Sequence, residues 1–169
     1  EELLQVDDIV LTHSHFDHVK DVPLLSDLLV GRRKTPVRIH ASTACARTLR
    51  ESVFNDELWP DFTRIPDLSN AVLDIRAFDP ERPFKIGRYT VSPVPVCHPV
   101  ESVGLVLADG RSAIAVSGDT GPTSRFWKRV NAEKGLNQAR QSLGAGNAPL
   151  AMTDLQKVAS RYKATPAGV

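Results

Sequence analysis

The chain has 169 residues, which is enough for one domain with a proper hydrophobic core. Its residues are 41% hydrophobic and 24% charged, and the formal net charge of +1 gives no indication of a nucleic-acid or acidic-membrane partner. No apolar run is long enough to span a bilayer, and Cys45 and Cys97 are too few for a disulfide framework. The chain begins with Glu1, so we expect a fragment or a processed form, and localisation, cytoplasmic or periplasmic, stays open.

The first third of the chain alternates strand and helix patterns. Strands are predicted at 9–11 and 37–40, and helices at 19–29 and 43–53, with Gly31 ending the first helix and Ser42 capping the second. This alternation indicates a layered α/β domain. His40 ends the second strand and is expected to be structural or to support a site. The basic residues 32–34 are typical of a solvated helix end, which we favour over a phosphate-binding patch.

A histidine-rich segment, Thr-His-Ser-His-Phe-Asp-His at 12–18, follows the first predicted strand directly. In an extended chain alternate side chains point the same way, so His13, His15 and Asp17 are expected on one side, while His18 begins the next turn. Neutral imidazole suits zinc and other first-row metals, and ligands divided in this way can serve two neighbouring ions. A chance cluster in a polar loop is the alternative. Three of the five histidines lie within six residues, which favours a metal site.

The segment 54–63 is rich in aromatic residues and too irregular for either secondary-structure period. One interpretation makes it a small satellite cluster of the core. The other makes it a wall of a substrate pocket, because aromatic faces stack on bases or sugars.

The rest of the chain is predicted mainly as strands. One strand is expected at 71–78, and a proline-rich edge or irregular strand at 94–99. Two pairs of strands are expected to be joined by turns: 84–86 with 89–91, and 102–108 with 112–117 around Asp109-Gly110. A helix is predicted from Thr123 to about Glu133, with Phe126, Trp127 and Val130 on its apolar side. Residues 1–134 are then expected to form the core domain, and 135–169 a linker followed by a short helix at 153–162.

Two more ligand-type residues lie near the ends of predicted strands. His98 follows the proline-rich strand, where a ligand would be presented. Asp119 lies between Gly118 and Gly121, which let the backbone turn sharply and approach a ligand. A carboxylate can bridge two cations, although the segment taken alone is also typical of an ordinary Asx turn.

These motifs carry a resemblance to a known family. The segment 12–18 resembles the HxHxDH signature of the metallo-β-lactamase superfamily, and His98 and Ser-Gly-Asp-Thr-Gly at 117–121 stand in the order used there. More narrowly, the segments 11–25, 53–56, 58–62 and 95–102 resemble class II cyclic-nucleotide phosphodiesterases. The FN…WPxF pattern at 54–62 is the specific part, and the resemblance covers residues 5–132.

The resemblance implies an α/β fold: a partial four-layer αββα metallo-β-lactamase sandwich, lacking the N-terminal strands and the C-terminal strand that carries a further histidine. It implies two divalent metal ions, with zinc favoured. One ion is held by His13, His15 and His98, the second by Asp17 and His18, and Asp119 bridges the pair. No histidine follows His98 in this chain, which leaves the second ion with one ligand fewer.

The resemblance also implies an activity, the hydrolysis of 3′,5′-cyclic AMP to 5′-AMP by a metal-bridging hydroxide. Asp17 and Asp119 are the catalytic carboxylates, and the substrate residues are Phe54, Asn55, Trp59 and Phe62. Asp17 and a metal-bound water both remain open as the acid for the leaving oxygen. The alternatives are another hydrolase of the superfamily, of lactonase or arylsulfatase type, and an inactive truncated metal-binding remnant. The expected partner is a small cyclic nucleotide, and neither a nucleic acid nor a membrane is expected to bind. A homodimer is one oligomeric state that the prediction leaves open.

Overall fold

The computed structural model describes residues 2–133, which form two β-sheets with helices on their outer faces. The first sheet is parallel, in the order β1-β2-β3, and the second is antiparallel, in the order β4-β5-β6-β7. The strands are β1 (Asp8–Val10), β2 (Val37–Ser42), β3 (Leu73–Phe78), β4 (Phe84–Ile86), β5 (Tyr89–Pro95), β6 (Val103–Ala108) and β7 (Ala113–Val116). The strand predictions are therefore confirmed with ends that shift by a few residues, except that the strands predicted at 89–91 and 94–99 form one strand, β5, which ends at Pro95.

The helices also follow the sequence pattern. They are α1 (Phe16–Val19), α2 (Asp21–Leu29), α3 (Thr43–Thr48) and α4, which covers 124–133. A 3₁₀ turn at Glu2–Gln5 precedes β1, and a π-helical turn at Leu49–Val53 extends α3. The predicted cap of α3 is present, because the Ser42 side chain accepts a hydrogen bond from the Cys45 N–H. None of the helices within 2–133 has the length and apolar character needed to cross a membrane.

Three clusters of buried apolar residues separate four layers. The first joins α2 and α3 to the parallel sheet and includes the fully buried Ile39 and Leu49. The second lies between the sheets and includes Phe78 and Val103. The third joins the antiparallel sheet to α4. Because successive strand residues face opposite sides, one strand serves two layers, as β6 does with Leu105 and Val106. The order helix, sheet, sheet, helix is the predicted αββα arrangement.

The packing of α4 corrects one prediction. Phe126 and Val130 are buried against the antiparallel sheet, where a Cβ at Gly104 would overlap the Phe126 ring. Trp127 is 46% exposed, because it is one residue round the helix from Phe126 and does not share its buried face. The predicted linker at 135–149, the helix at 153–162 and the domain boundary at 134 lie outside the described residues.

A polar network lies in the layer between the sheets, at the start of β1. The Asp8 carboxylate accepts two hydrogen bonds from the Arg38 guanidinium, at 2.7 and 2.6 Å, and lies 2.8 Å from His40 Nε2. The His40 ring stacks on Phe84 of the second sheet, with ring centroids 5.4 Å apart. His40 is thus structural, which was one of its expected roles, and the network fixes β1 immediately before the histidine-rich segment.

Of the three basic residues after α2, Arg32 and Lys34 are exposed, whereas Arg33 is held by contacts within the fold. The Arg33 guanidinium donates to the carbonyl oxygens of Leu4 and Val6, at 3.0 and 2.6 Å, and pairs with Asp7 at 2.6 Å. Only 11% of its side chain is exposed. Arg33 therefore ties the segment before β1 to the end of α2, a role that neither expected interpretation included.

Candidate metal centre

The chain crosses from one sheet to the other where β1 ends. The Leu11 N–H donates to the His40 carbonyl of the parallel sheet at 2.8 Å. The carbonyl of the following residue, Thr12, accepts a hydrogen bond from the Val103 N–H at the start of β6, at 3.0 Å. His13 follows directly and is completely buried. Main-chain bonds to both sheets therefore hold the first residue of the histidine motif in place.

His13 is the centre of a cluster of four imidazole rings. Its ring centroid lies 4.8 Å from that of His15, 4.2 Å from that of His18 and 4.6 Å from that of His98. His15 and His98 are also neighbours, at 4.8 Å. The structure thus brings four of the five histidines into one small volume, although His98 is 80 or more residues away along the chain.

The first candidate ligand group consists of His13, His15 and His98, each offering one ring nitrogen, and these atoms lie within 4.8 Å of one another. His15 Nδ1 and His98 Nε2 are 3.0 Å apart. Tetrahedral coordination at 2.0–2.1 Å separates neighbouring nitrogens by about 3.3 Å, which is close to this spacing. These are the three residues predicted to hold the first ion.

The loop that carries His98 is fixed on two sides. The Val96 N–H donates to the Ser102 carbonyl at 3.1 Å, which closes the loop after β5. The Gly121 N–H donates to the Cys97 carbonyl at 2.7 Å, which ties this loop to the one after β7. The loops that carry His98 and Asp119 are therefore held against each other by main-chain contacts.

The second candidate group consists of His13, His18 and Asp119. His18 Nε2 lies 3.3 Å from Asp119 Oδ1. Gly118 allows this approach, because its φ is +60° and a Cβ there would lie only 3.1 Å from Thr12 Cβ. His13 belongs to both groups, so Asp119 lies beside the residue that the two groups have in common.

Asp17 occupies a different position from the one expected. The extended path continues only through His15, because α1 begins at Phe16 and places Asp17 in its first turn. Its side chain is 73% exposed, and Oδ2 lies 3.4 Å from His18 Nε2. Asp17 is therefore on the His18 side of the cluster, as predicted, but it belongs to neither three-residue group found among residues 2–133.

The electrostatics of His13 test whether this donor set fits a divalent cation. His13 Nε2 is buried and has no hydrogen-bond partner among the described residues, while Nδ1 lies 3.0 Å from Thr12 Oγ1. When the Nδ1 proton is donated to Thr12, Nε2 carries a free lone pair. Burial lowers the pKa of His13, and the neighbouring imidazoles of His18 and His98 lower it further. A neutral imidazole with an unpaired buried nitrogen is the form that binds metals, so the residues fit a divalent ion.

The four predicted substrate residues are not alike in the structure. Phe54 and Phe62 are only 2% and 3% exposed and belong to the core cluster of the parallel sheet. The Asn55 side chain closes a local turn by accepting from the N–H groups of Glu57 and Leu58. Trp59 is partly buried against the same core. The burial of the two phenylalanines favours the core interpretation of this segment, and Trp59 is its remaining large aromatic side chain with accessible surface.

Sequence reasoning missed Thr12 and the network around Asp8. Thr12 contacts His13 Nδ1, bonds to Val103 and limits the size of residue 118. Its position directly before the first histidine was the only signal for this role. Nothing in the sequence pattern of Asp8 and Arg38 indicates their contact, because it joins two strands 30 residues apart.

Comparison with known proteins establishes the family. A family model described as a beta-lactamase superfamily domain matches residues 1–139. The chain belongs to the beta-lactamase superfamily. This is a family of metallo-β-lactamase-fold hydrolases, and the four layers described above are part of that fold.

Two solved structures show the same fold at low sequence identity. Unliganded yeast PDE1 is 22% identical with a TM-score of 0.66, over 79% of this chain and 41% of that one. The metallo-beta-lactamase fold protein YhfI from Bacillus subtilis is 18% identical with a TM-score of 0.59, over 75% of this chain and 46% of that one. These likenesses concern the fold alone.

The curated relatives are longer proteins. The uncharacterized proteins Rv1339 of Mycobacterium tuberculosis and ML1173 of Mycobacterium leprae are each 33% identical to this member of the superfamily, over 115 and 122 residues. Each match covers 67% of this chain but only 41% and 39% of the relatives. The chain thus spans about two fifths of the length of the curated relatives it matches.

Proposed function

We propose that this chain carries the metal site of a phosphodiesterase that hydrolyses 3′,5′-cyclic AMP to 5′-AMP. The observation that carries the proposal is the arrangement around His13, which has His15 and His98 on one side and His18 and Asp119 on the other, since two adjacent cation sites suit phosphate ester hydrolysis. The resemblance of the segment 54–62 to class II cyclic-nucleotide phosphodiesterases supports the choice of substrate. The fold shared with yeast PDE1 is compatible with it.

In this proposal His13, His15 and His98 would hold one ion, with zinc favoured, His18 and Asp17 would hold the second, and Asp119 would serve as the bridging ligand. When bound, the ions supply Lewis acidity that polarises the phosphate ester and makes water more acidic. The protein supplies a fixed donor set. Thr12 orients the His13 ring, and burial lowers the pKa of His13, which favours the neutral form that binds metal.

Asp17 is assigned the proton transfer to the leaving 3′ oxygen. It lies beside His18 but outside both three-residue groups, so one of its carboxylate oxygens remains available. Its side chain is 73% exposed, so solvent water can reach the carboxylate. Asp119 is half exposed and lies against His18, which suits a ligand that holds its position rather than one that transfers a proton.

Trp59 is assigned to the purine ring. Stacking of a base on an aromatic side chain is worth about 1–3 kcal/mol, so Trp59→Ala should raise KM for cyclic AMP about fivefold or more with little change in kcat. The chain offers a matched control in its other tryptophan, because Trp127 is 46% exposed on α4. Trp127→Ala should leave KM unchanged.

The test is hydrolysis of cyclic AMP by the metal-loaded chain, followed by chromatographic detection of 5′-AMP. Formation of 5′-AMP that is abolished by a chelator is expected. Absence of 5′-AMP from a chain that has bound its metals would contradict the proposed activity, and an equal KM in Trp59→Ala and the parent chain would remove Trp59 from the site.

A second candidate is a hydrolase of the same superfamily with a different ester substrate, of lactonase or arylsulfatase type. The burial of Phe54 and Phe62 in the core favours it, because these two rings then offer no stacking surface to a purine. Parallel assays with a homoserine lactone and with p-nitrophenyl sulfate distinguish the candidates. A kcat/KM for either that exceeds the value for cyclic AMP would favour the second candidate.

A further inference from the structure

A cavity of about 400 Å³ lies between β5 and α4, apart from the histidine cluster. Residues 92–95 of β5 form one wall, and Arg125, Lys128 and Arg129 of α4 form the other. Glu81 and Pro83, which lie before β4, also line it. Its volume falls in the range of small-molecule sites, about 300–1,000 Å³.

The charge of this cavity is positive. Its three cationic residues are spaced i, i+3 and i+4 along α4, so they share one face of the helix, and Glu81 is the single acidic residue in the lining. Arg125 pairs with Glu81 at 3.0 Å. Lys128 has no ion pair within the described part of the chain, 2–133. An anion entering the cavity therefore meets an ammonium group that has no competing carboxylate.

Ser92 adds a directed donor to the same wall. It is only 4% exposed, and its hydroxyl oxygen accepts a hydrogen bond from Arg129 Nη2 at 3.1 Å. The hydroxyl hydrogen remains available for a ligand oxygen. Arg129 is also held by Glu133 at 2.8 Å, so the guanidinium and the hydroxyl are already in place. This arrangement lowers the ordering cost of binding an anion.

The prolines of β5 define the remaining chemistry. β4 pairs only with residues 89–91, so among residues 2–133 no strand pairs with the rest of β5 on that edge. The Val96 N–H points to the β6 side, where it donates to the Ser102 carbonyl. Backbone N–H groups alternate between the two sides of a strand, so the nitrogens of Pro93 and Pro95 point to the opposite side, which is this edge. Proline has no N–H, so this edge does not accept another strand. It offers pyrrolidine rings, which suit a small apolar group.

We propose that this cavity binds a small phosphomonoester. Its phosphate contacts Lys128, Arg125 and the Ser92 hydroxyl, and its apolar part covers Pro93 and Pro95. A dianionic phosphate suits this cationic lining better than a carboxylate does, because the phosphate carries two charges and offers more acceptor oxygens. This site uses no residue of the two candidate metal groups.

The experiment is a titration of the ¹⁵N-labelled 169-residue chain with phenyl phosphate, followed by NMR of the backbone amides. Saturable shifts are expected for Ser92, Val94 and the amides of 125–129, with tighter binding than for inorganic phosphate. Lys128→Gln should raise Kd about threefold to fivefold, as expected for an exposed charge pair. The control is Lys85→Gln, which removes the same charge from β4 outside the cavity and should leave Kd unchanged.

Three results would overturn the proposal. The first is an absence of saturable shifts at Ser92, Val94 and 125–129 at millimolar phenyl phosphate. The second is a set of shifts confined to 12–18 and His98, which would place the phosphate at the histidine cluster. The third is an equal change of Kd in the two lysine variants. Because the amides report each location separately, the outcome does not depend on whether the chain hydrolyses cyclic AMP.

Discussion

Replacing Asp8 tests how strongly the network before the histidine motif stabilises the fold. The side chain is 16% exposed and accepts two hydrogen bonds from Arg38. The Arg38 guanidinium, assisted by His40, lowers the pKa of Asp8 from its ordinary value of 3.8 to about 2, against the opposing effect of burial. Each pKa unit is worth about 1.36 kcal/mol, so the Asp8 charge contributes about 2 kcal/mol at neutral pH. Asp8→Asn should lose about that amount.

Urea unfolding at pH 7 measures this loss, with Asp27→Asn as the control. Asp27 is an exposed aspartate on α2 and forms no ion pair with any residue from 2 to 133, so its replacement should change the free energy of unfolding by less than about 0.5 kcal/mol. A loss of about 2 kcal/mol in Asp8→Asn should also lower Tm by about 4–8 °C in a chain of this size.

The pH dependence gives a second, independent check. Because the folded-state pKa of Asp8 is lowered, its stabilisation is present above pH 3.8 and is lost as the pH falls towards 2. The difference between the parent chain and Asp8→Asn should therefore be constant from pH 7 to 5 and fall to about half near pH 3. A difference no larger than that of Asp27→Asn at pH 7, or one that does not shrink in acid, would refute the reasoning.

Two further substitutions test the second candidate group. Gly118→Ala places a Cβ 3.1 Å from Thr12 Cβ at φ +60° and should both destabilise the chain by about 1–2 kcal/mol and weaken metal binding. Gly31→Ala is the control, because Gly31 has a similar φ of +69° but no atom within 4 Å of its Cβ position, so this substitution should change stability alone. Equal metal affinity in Gly118→Ala and Gly31→Ala would contradict the argument that residue 118 must approach Thr12 closely. Asp119→Asn should lower the metal stoichiometry from about two to about one in a zinc titration, because it removes the bridging charge. Retention of both ions in Asp119→Asn would exclude a bridging role.

Much of the fold was predictable because local patterns and tertiary structure agree. Prolines confine residues 93–95 to a free edge, and the structure leaves that edge unpaired. Ser42 before an apolar helical pattern predicted the observed cap. His98 and Asp119 were identifiable because each follows a predicted strand, and loops after strands bring distant residues together. The structure places both beside His13.

The remaining features depend on contacts that a one-dimensional pattern does not contain. The apolar run at 112–117 after the Asp109-Gly110 turn predicted β7, but Ile114 and Val116 are exposed, because an apolar strand pattern does not specify what covers its faces. An aromatic spacing likewise does not distinguish a core from a pocket wall, and Phe54 and Phe62 are in the core. Asp17 left the expected extended path because α1 begins one residue before it.

Metal content of the purified chain tests the central claim most directly, because His13 belongs to both candidate groups. After loading with zinc and dialysis, elemental analysis of the parent chain should give about two ions per chain. His13→Ala should lose the ion assigned to His13, His15 and His98 and retain about one ion per chain, whereas His40→Asn, which changes the one histidine outside the cluster, should retain both. A parent chain that binds no metal, or a folded His13→Ala variant that keeps both ions, would contradict the account.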